Sequence, residues 1–75
     1  MAPHDRVLRA FGRNVLKRRE AKGLSQEKLA EKADLDRTYI SGIERGVRNP
    51  GLVSIARIAK ALGASTSDLC EGVSA

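Results

Sequence analysis

The side chains of this sequence that are equipped for chemistry are hydrogen-bond donors, not nucleophiles. Arg37, Thr38, Ser41 and Gly42 stand at the i, i+1, i+4, i+5 spacing that places residues on one side of an α-helix. A guanidinium at Arg37 can give two parallel hydrogen bonds to a pair of acceptors such as guanine O6 and N7, worth about 1–3 kcal/mol of discrimination. Thr38 offers a methyl group to a thymine or a hydroxyl to a phosphate, and Ser41 lines the same face one turn on. Glycine inside a helix costs nearly ~1 kcal/mol against alanine, so Gly42 points to a partner approaching closely there. Each has a plainer alternative. Arg37 can be a solvated cation or a partner of Asp34 or Asp36, and Gly42 a tolerated residue. Raw material for catalysis is scarce: one histidine, His4, near the start of the chain, and one cysteine, Cys70. An internal disulfide and a cysteine-based zinc site are excluded. We therefore expect no enzyme, no metal, no cofactor and no small-molecule ligand.

A chain of 75 residues makes one small domain. Such a domain buries only about 60% of the surface its unfolded chain exposes, which leaves no room for a deep enclosed cavity and puts function on a surface. With 41% hydrophobic and 31% charged residues the chain is not disordered wholesale. Phe11 and Tyr39 are the only aromatics, too few for a platform that stacks single-stranded bases. The formal net charge is +5, and the isoelectric point is about 10.0. All of that excess sits in residues 1–22, where Arg6, Arg9, Arg13, Lys17, Arg18, Arg19 and Lys22 face only Asp5 and Glu20. The imbalance favours a polyanion, nucleic acid before an anionic membrane surface, though a solvated helix face fits the charge equally well. No apolar run approaches the ~18 residues of a membrane span, and the first residues do not read as a signal peptide. The expected location is cytoplasmic.

These side chains must be held by helices. Apolar positions recur at the 3.6-residue period and never alternate as in strands, so the sequence reads as all-α, a compact five-helix bundle. The first helix covers Asp5–Ala21, with Leu8, Phe11, Val15 and Leu16 as its apolar stripe, and Gly23 suits the left-handed residue that follows. Ser25 caps a second helix over Gln26–Ala33, with Leu29, Ala30 and Ala33 inward. After the turn Asp34-Leu35-Asp36, Asp36 caps a third over Arg37–Glu44, with Ile40 and Ile43 inward. Gly46 ends it, and Pro50 breaks the loop 47–51. A fourth helix spans Leu52–Leu62, with Leu52, Ile55, Ile58, Ala59 and Leu62 on one side, and Gly63 stops it. Ser65-x-x-Asp68 is a capping box with Asp where Glu or Gln is usual, and it opens a last short helix carrying Leu69. The domain is expected to fill residues 1–75, with about 1–4 and 73–75 as flexible ends.

Two short helices joined by three residues, Gln26–Ala33 and Arg37–Glu44, form a helix-turn-helix pattern. Ala30 falls where the helices cross, and the anchors Ile40 and Ile43 leave Arg37, Thr38, Ser41 and Gly42 outward, as candidate base contacts. A helix presented this way fits a major groove about 12 Å wide, which makes double-stranded DNA the expected partner. Gln26 opens the first helix of the pair, where free amide N–H groups favour a phosphate. Tyr39 lies between core and DNA backbone, a further phosphate candidate with core packing as its main role.

Residues 24–33 (Leu-Ser-Gln-Glu-Lys-Leu-Ala-Glu-Lys-Ala), 35–46 (Leu-Asp-Arg-Thr-Tyr-Ile-Ser-Gly-Ile-Glu-Arg-Gly) and 48–50 (Arg-Asn-Pro) resemble the helix-turn-helix family of phage repressors and Xre-type regulators. The resemblance covers roughly residues 8–70, and the decapeptide 36–45 is closer still to the recognition segment of restriction–modification controller proteins. It implies stand-alone dimeric regulators of transcription. It implies further that Gln26 braces the DNA backbone, that Arg45, Arg48 and Asn49 grip phosphates, and that an Arg19–Glu44 ion pair ties the first helix to the third. The position of Asp34 is usually glycine in such units because the backbone there turns left-handed. Asp tolerates that conformation better than most residues with a Cβ.

One reading helix buries little DNA, so such domains pair to read half-sites about 34 Å apart. Leu52, Val53, Ile55, Leu69, Cys70 and Val73 exceed what one small core needs, and the resemblance places a homodimer interface there. The sequence thus implies a regulator acting on palindromic operators, with RNA polymerase as a further candidate partner. An antitoxin or small phage-type repressor shares the same residues, and a protein-interaction module of the same fold is a third alternative.

Overall fold

Local hydrogen bonds replace missing helical ones at several of the described helix ends, while Gly51 opens a helix with no side-chain cap. In a computed structural model, which describes residues 5–75, the elements run α1 (Asp5–Ala21), α2 (Gln26–Ala33), α3 (Arg37–Glu44), α4 (Leu52–Leu62) and α5 (Thr66–Leu69), with no strand among the described residues. These are the bounds that capping residues and periodicity mark in the sequence. Ser25 Oγ accepts the Lys28 N–H at 3.0 Å to open α2, and Asp36 Oδ1 accepts the Thr38 N–H at 2.8 Å to open α3. Ser65 and Asp68 close a reciprocal capping box, each bond 2.9 Å, at the start of α5. His4 and the rest of residues 1–4, expected from the sequence to form a flexible end, lie outside the described residues.

The turn of the helix-turn-helix is made by Asp34, at φ 56° and ψ 48°. It is the one residue with a side chain at positive φ among the described residues, the others being glycines. The left-handed step swings the Leu35 N–H back onto the Ala30 carbonyl at 2.9 Å, which closes α2 and launches α3.

The core is apolar throughout: Phe11, Val15, Leu29, Ala30, Ala33, Ile40, Ile43, Ile58, Ala59, Leu62 and Leu69 are buried. α1 and α2 both pack on α3, and α4 packs on α2 and α5. Two placements differ from the sequence reading. Leu52, which the helical period sets on one side of α4 with the buried Ile58, Ala59 and Leu62 and which is also an interface candidate, is 75% exposed, because the first turn of α4 projects beyond the core. Val73, read as part of a flexible end, packs against the core, with its N–H on the Cys70 carbonyl at 3.0 Å. Asn14 secures that end by donating from Nδ2 to the carbonyls of Leu69 and Glu71 at 2.8 and 2.9 Å. None of the described helices is long and apolar enough to cross a membrane.

The inner side of α3 meets α1 at unusually short range. A Cβ placed on Gly12 would run into the Ile43 carbonyl oxygen and lie 2.9 Å from that of Glu44. Glycine is required here because backbone, not side chain, stands opposite. Gly12, overlooked in the sequence reading, carries the same signal used for Gly42: a glycine that lowers helix propensity inside a helix.

Candidate nucleic-acid interface

The exposed side of α3 follows from what its other side buries. Ile40 is 0% and Ile43 1% exposed, and truncating such a residue to alanine costs about 2–5 kcal/mol. That anchorage fixes the rotation of α3 and leaves Arg37 and Thr38 exposed and Ser41 half-buried. Arg37 makes no hydrogen bond or ion pair among the described residues, so its forked donors are available. Thr38 is more committed: its hydroxyl and its N–H both donate to Asp36 Oδ1. These two bonds hold the Asp36 carboxyl below the usual carboxylate range, with a smaller contribution from the Arg48 charge. With its hydroxyl proton committed to Asp36, the exposed Thr38 can meet a partner through its hydroxyl oxygen only as an acceptor.

Gly42 corrects the sequence reading. It is buried, and what covers it is the Arg48 side chain, so no open glycine surface stands on α3. The close approach inferred from glycine's cost in a helix is real, but its partner belongs to the same chain. Tyr39 is half-buried against the core, and the Arg48 Cζ lies 6.0 Å from its ring centroid.

At the end of α3, Arg19 donates from Nε and Nη2 to the two oxygens of Glu44 at 2.6 and 3.0 Å, and from Nη1 to the Leu24 carbonyl at 2.7 Å. Side-chain exposures of 12% and 4% make this a largely buried pair. The hydrogen bonds that Arg19 gives to Glu44 raise its pKa over the opposing effect of burial. Gln26 joins the network, its Nε2 donating to Glu44 Oε1 at 2.9 Å. One amide hydrogen of the expected phosphate ligand is therefore used inside the protein, and only the second remains. The network ties the C-terminal turn of α1 and the first residue of α2 to the end of α3.

The expected phosphate loop divides. Arg45, Arg48 and Asn49 are all exposed, yet Arg48 folds back over α3, and Asn49 borders a shallow apolar pocket. That pocket, about 150 Å³, is lined by Val7, Leu8, Phe11, Pro50, Ile55, Cys70 and Val73 besides Asn49. It brings Ile55, Cys70 and Val73 of the expected dimer surface together, and adds Val7 and Leu8 of α1, which the sequence reading did not include. Val47, Leu52 and Val53 are 61%, 75% and 67% exposed. Leu69 does not join them. It is fully buried, so it serves the core and not an interface. Cations extend beyond α3: Arg6, Arg9 and Arg13 line one open concavity, and Lys32, Arg57 and Lys60 another.

Known proteins of this kind match the chain closely. A family model described as helix-turn-helix matches residues 15–69. The sequence is 53% identical over 62 residues to control protein C.BamHI of Bacillus amyloliquefaciens, a match covering 81% of this chain and 76% of that protein. It is 48% identical over 60 residues to control protein C.MunI of a Mycoplasma species, covering 79% and 81%. The crystal structure of the restriction–modification controller protein C.AhdI from Aeromonas hydrophila superposes with a TM-score of 0.82 at 48% identity, covering 83% of this chain and 94% of that one. A packed helix pair with a polar, cation-bearing exposed face and relatives of this similarity lead to one assignment: the chain belongs to the helix-turn-helix family of DNA-binding transcriptional regulators, among the restriction–modification controller proteins.

Proposed function

We propose that the protein binds a palindromic duplex operator as a homodimer in the cytoplasm and thereby sets transcription of restriction–modification genes, acting as a binding protein and not as an enzyme. The observation that carries this reading is the presentation of Arg37 and Thr38 on α3, exposed over the buried anchors Ile40 and Ile43. Arg37 reads a guanine edge and Thr38 an adjacent methyl or phosphate, with Ser41 one turn on. Arg45, Arg48, Tyr39 and the remaining amide hydrogen of Gln26 supply backbone contacts. The exposed apolar side chains Leu52 and Val53, with Ile55, Cys70 and Val73 around the apolar pocket, support pairing of two copies. Operator position relative to the promoter decides whether RNA polymerase is recruited or blocked.

Selection of bound sites from random duplex DNA at two salt concentrations tests this. The reading expects a two-fold symmetric site and an affinity that falls steeply with salt, the slope being about −0.9 per phosphate contacted. Sedimentation without DNA expects a concentration-dependent monomer–dimer equilibrium, weakened by Val53→Glu. An asymmetric site bound by one copy, or a monomer at all concentrations, rejects the dimeric reading.

A further inference from the structure

We propose that Gly42 is a positioning residue that seats Arg48: the absent side chain lets the Arg48 stem lie across α3 and fixes its guanidinium beside the face that meets DNA. This rests on the reading of α3 as the DNA-contacting helix. A Cβ on Gly42 would collide with Arg48 Cγ and come within 3.5 Å of Arg48 Cβ and Cδ. The stem thus occupies the volume that any other residue at position 42 would claim.

Beyond the stem, the guanidinium carbon lies 6.0 Å from the Tyr39 ring centroid, at the edge of cation–π range. Its positive charge also reaches the Asp36 carboxylate. Asp36, which caps α3, and Tyr39 and Gly42 within it follow one another at three-residue steps, and Arg48 runs back along that row from the loop after the helix. A free arginine side chain loses much rotamer entropy when it grips a ligand. Laid in a slot and steadied by a ring and a carboxylate, Arg48 has given up part of that freedom before DNA arrives. Helix propensity alone favours alanine at position 42, so the glycine serves something other than the helix.

Equilibrium binding of the full chain to its selected duplex, for wild type, Gly42→Ala, Arg48→Ala and the double variant, tests the seat. Arg48→Ala weakens binding by roughly tenfold, and Gly42→Ala by a comparable factor, with its thermal midpoint unchanged or raised. Adding Gly42→Ala to Arg48→Ala then changes binding by less than about twofold, because the seat has nothing left to hold. Equal losses in both backgrounds overturn the proposal, since a methyl group blocking DNA directly acts without Arg48. Wild-type binding by Gly42→Ala overturns it too, as does failure of that variant to fold. A wild-type chain that selects no duplex refutes the reading of α3 itself, whereas specific wild-type binding with no coupling refutes the seat alone.

Discussion

The two sides of α3 are built from different materials. On the inner side, Ile40 and Ile43 are fully buried, Gly12 abuts the carbonyls of Ile43 and Glu44, and Arg19 forks onto Glu44. On the outer side, contacts are made by exposed side chains: Thr38 to Asp36, and Arg48 across Gly42 to Tyr39. Each side includes a glycine in the middle of a helix. The difference between them is instructive, because Gly12 faces backbone, which cannot move aside, and Gly42 faces a flexible side chain, which can. A contact of the first kind fixes the helix; one of the second kind fixes a single cation on it.

This contrast orders the expected effects. Glu44→Ala leaves Arg19 largely buried without its partner, and costs about 3–5 kcal/mol in denaturant unfolding. A loss below about 1 kcal/mol, the range of exposed pairs, would mean the network is open to water in solution. Gly12→Ala comes next: its methyl drives α1 from α3, at about 1–3 kcal/mol and a drop of roughly 4–8 °C in Tm per kcal/mol. Gly42→Ala carries the opposite sign, a gain of up to ~1 kcal/mol from helix propensity once Arg48 steps aside. Equal destabilisation by the two substitutions would break the comparison.

The smallest effect lies in acid. Hydrogen bonds from Thr38 depress the Asp36 carboxyl in the folded chain, so Asp36 contributes stability above its unfolded value of 3.8 and loses it as pH falls through the lower folded value. Asparagine still caps a helix. Asp36→Asn therefore unfolds near the wild-type midpoint at neutral pH and shows a shallower decline of stability below about pH 4. An unchanged acid slope would show that the bonds from Thr38 are not kept in solution.

Much of this was legible in the sequence, for local reasons. Ser25, Asp36 and Ser65 cap through bonds two or three residues away, and the spacing of Leu29, Ile40, Ile43, Ile58 and Leu62 reports a buried face directly. What escaped depends on distant partners. Asn14 bonds a carbonyl 55 residues on, and Gln26 gives its amide to Glu44, neither visible in any local window. Leu69 sits on a four-residue helix, too short for a period to tell core from surface. Leu52 obeys the period of α4 yet stands beyond the core it points along. Gly42 shows the limit most plainly: the cost of a helical glycine signals that something comes close, and says nothing of what.

In the proposed function, buried aliphatic anchors aim the outward side chains of α3 into a duplex groove. Parallel site selection with wild type and Arg37→Ala tests this. The variant is expected to keep its fold and its salt-dependent affinity for random duplex but to lose preference at one base position in each half-site, by about 1–3 kcal/mol. An identical preference at every position in both proteins would contradict it.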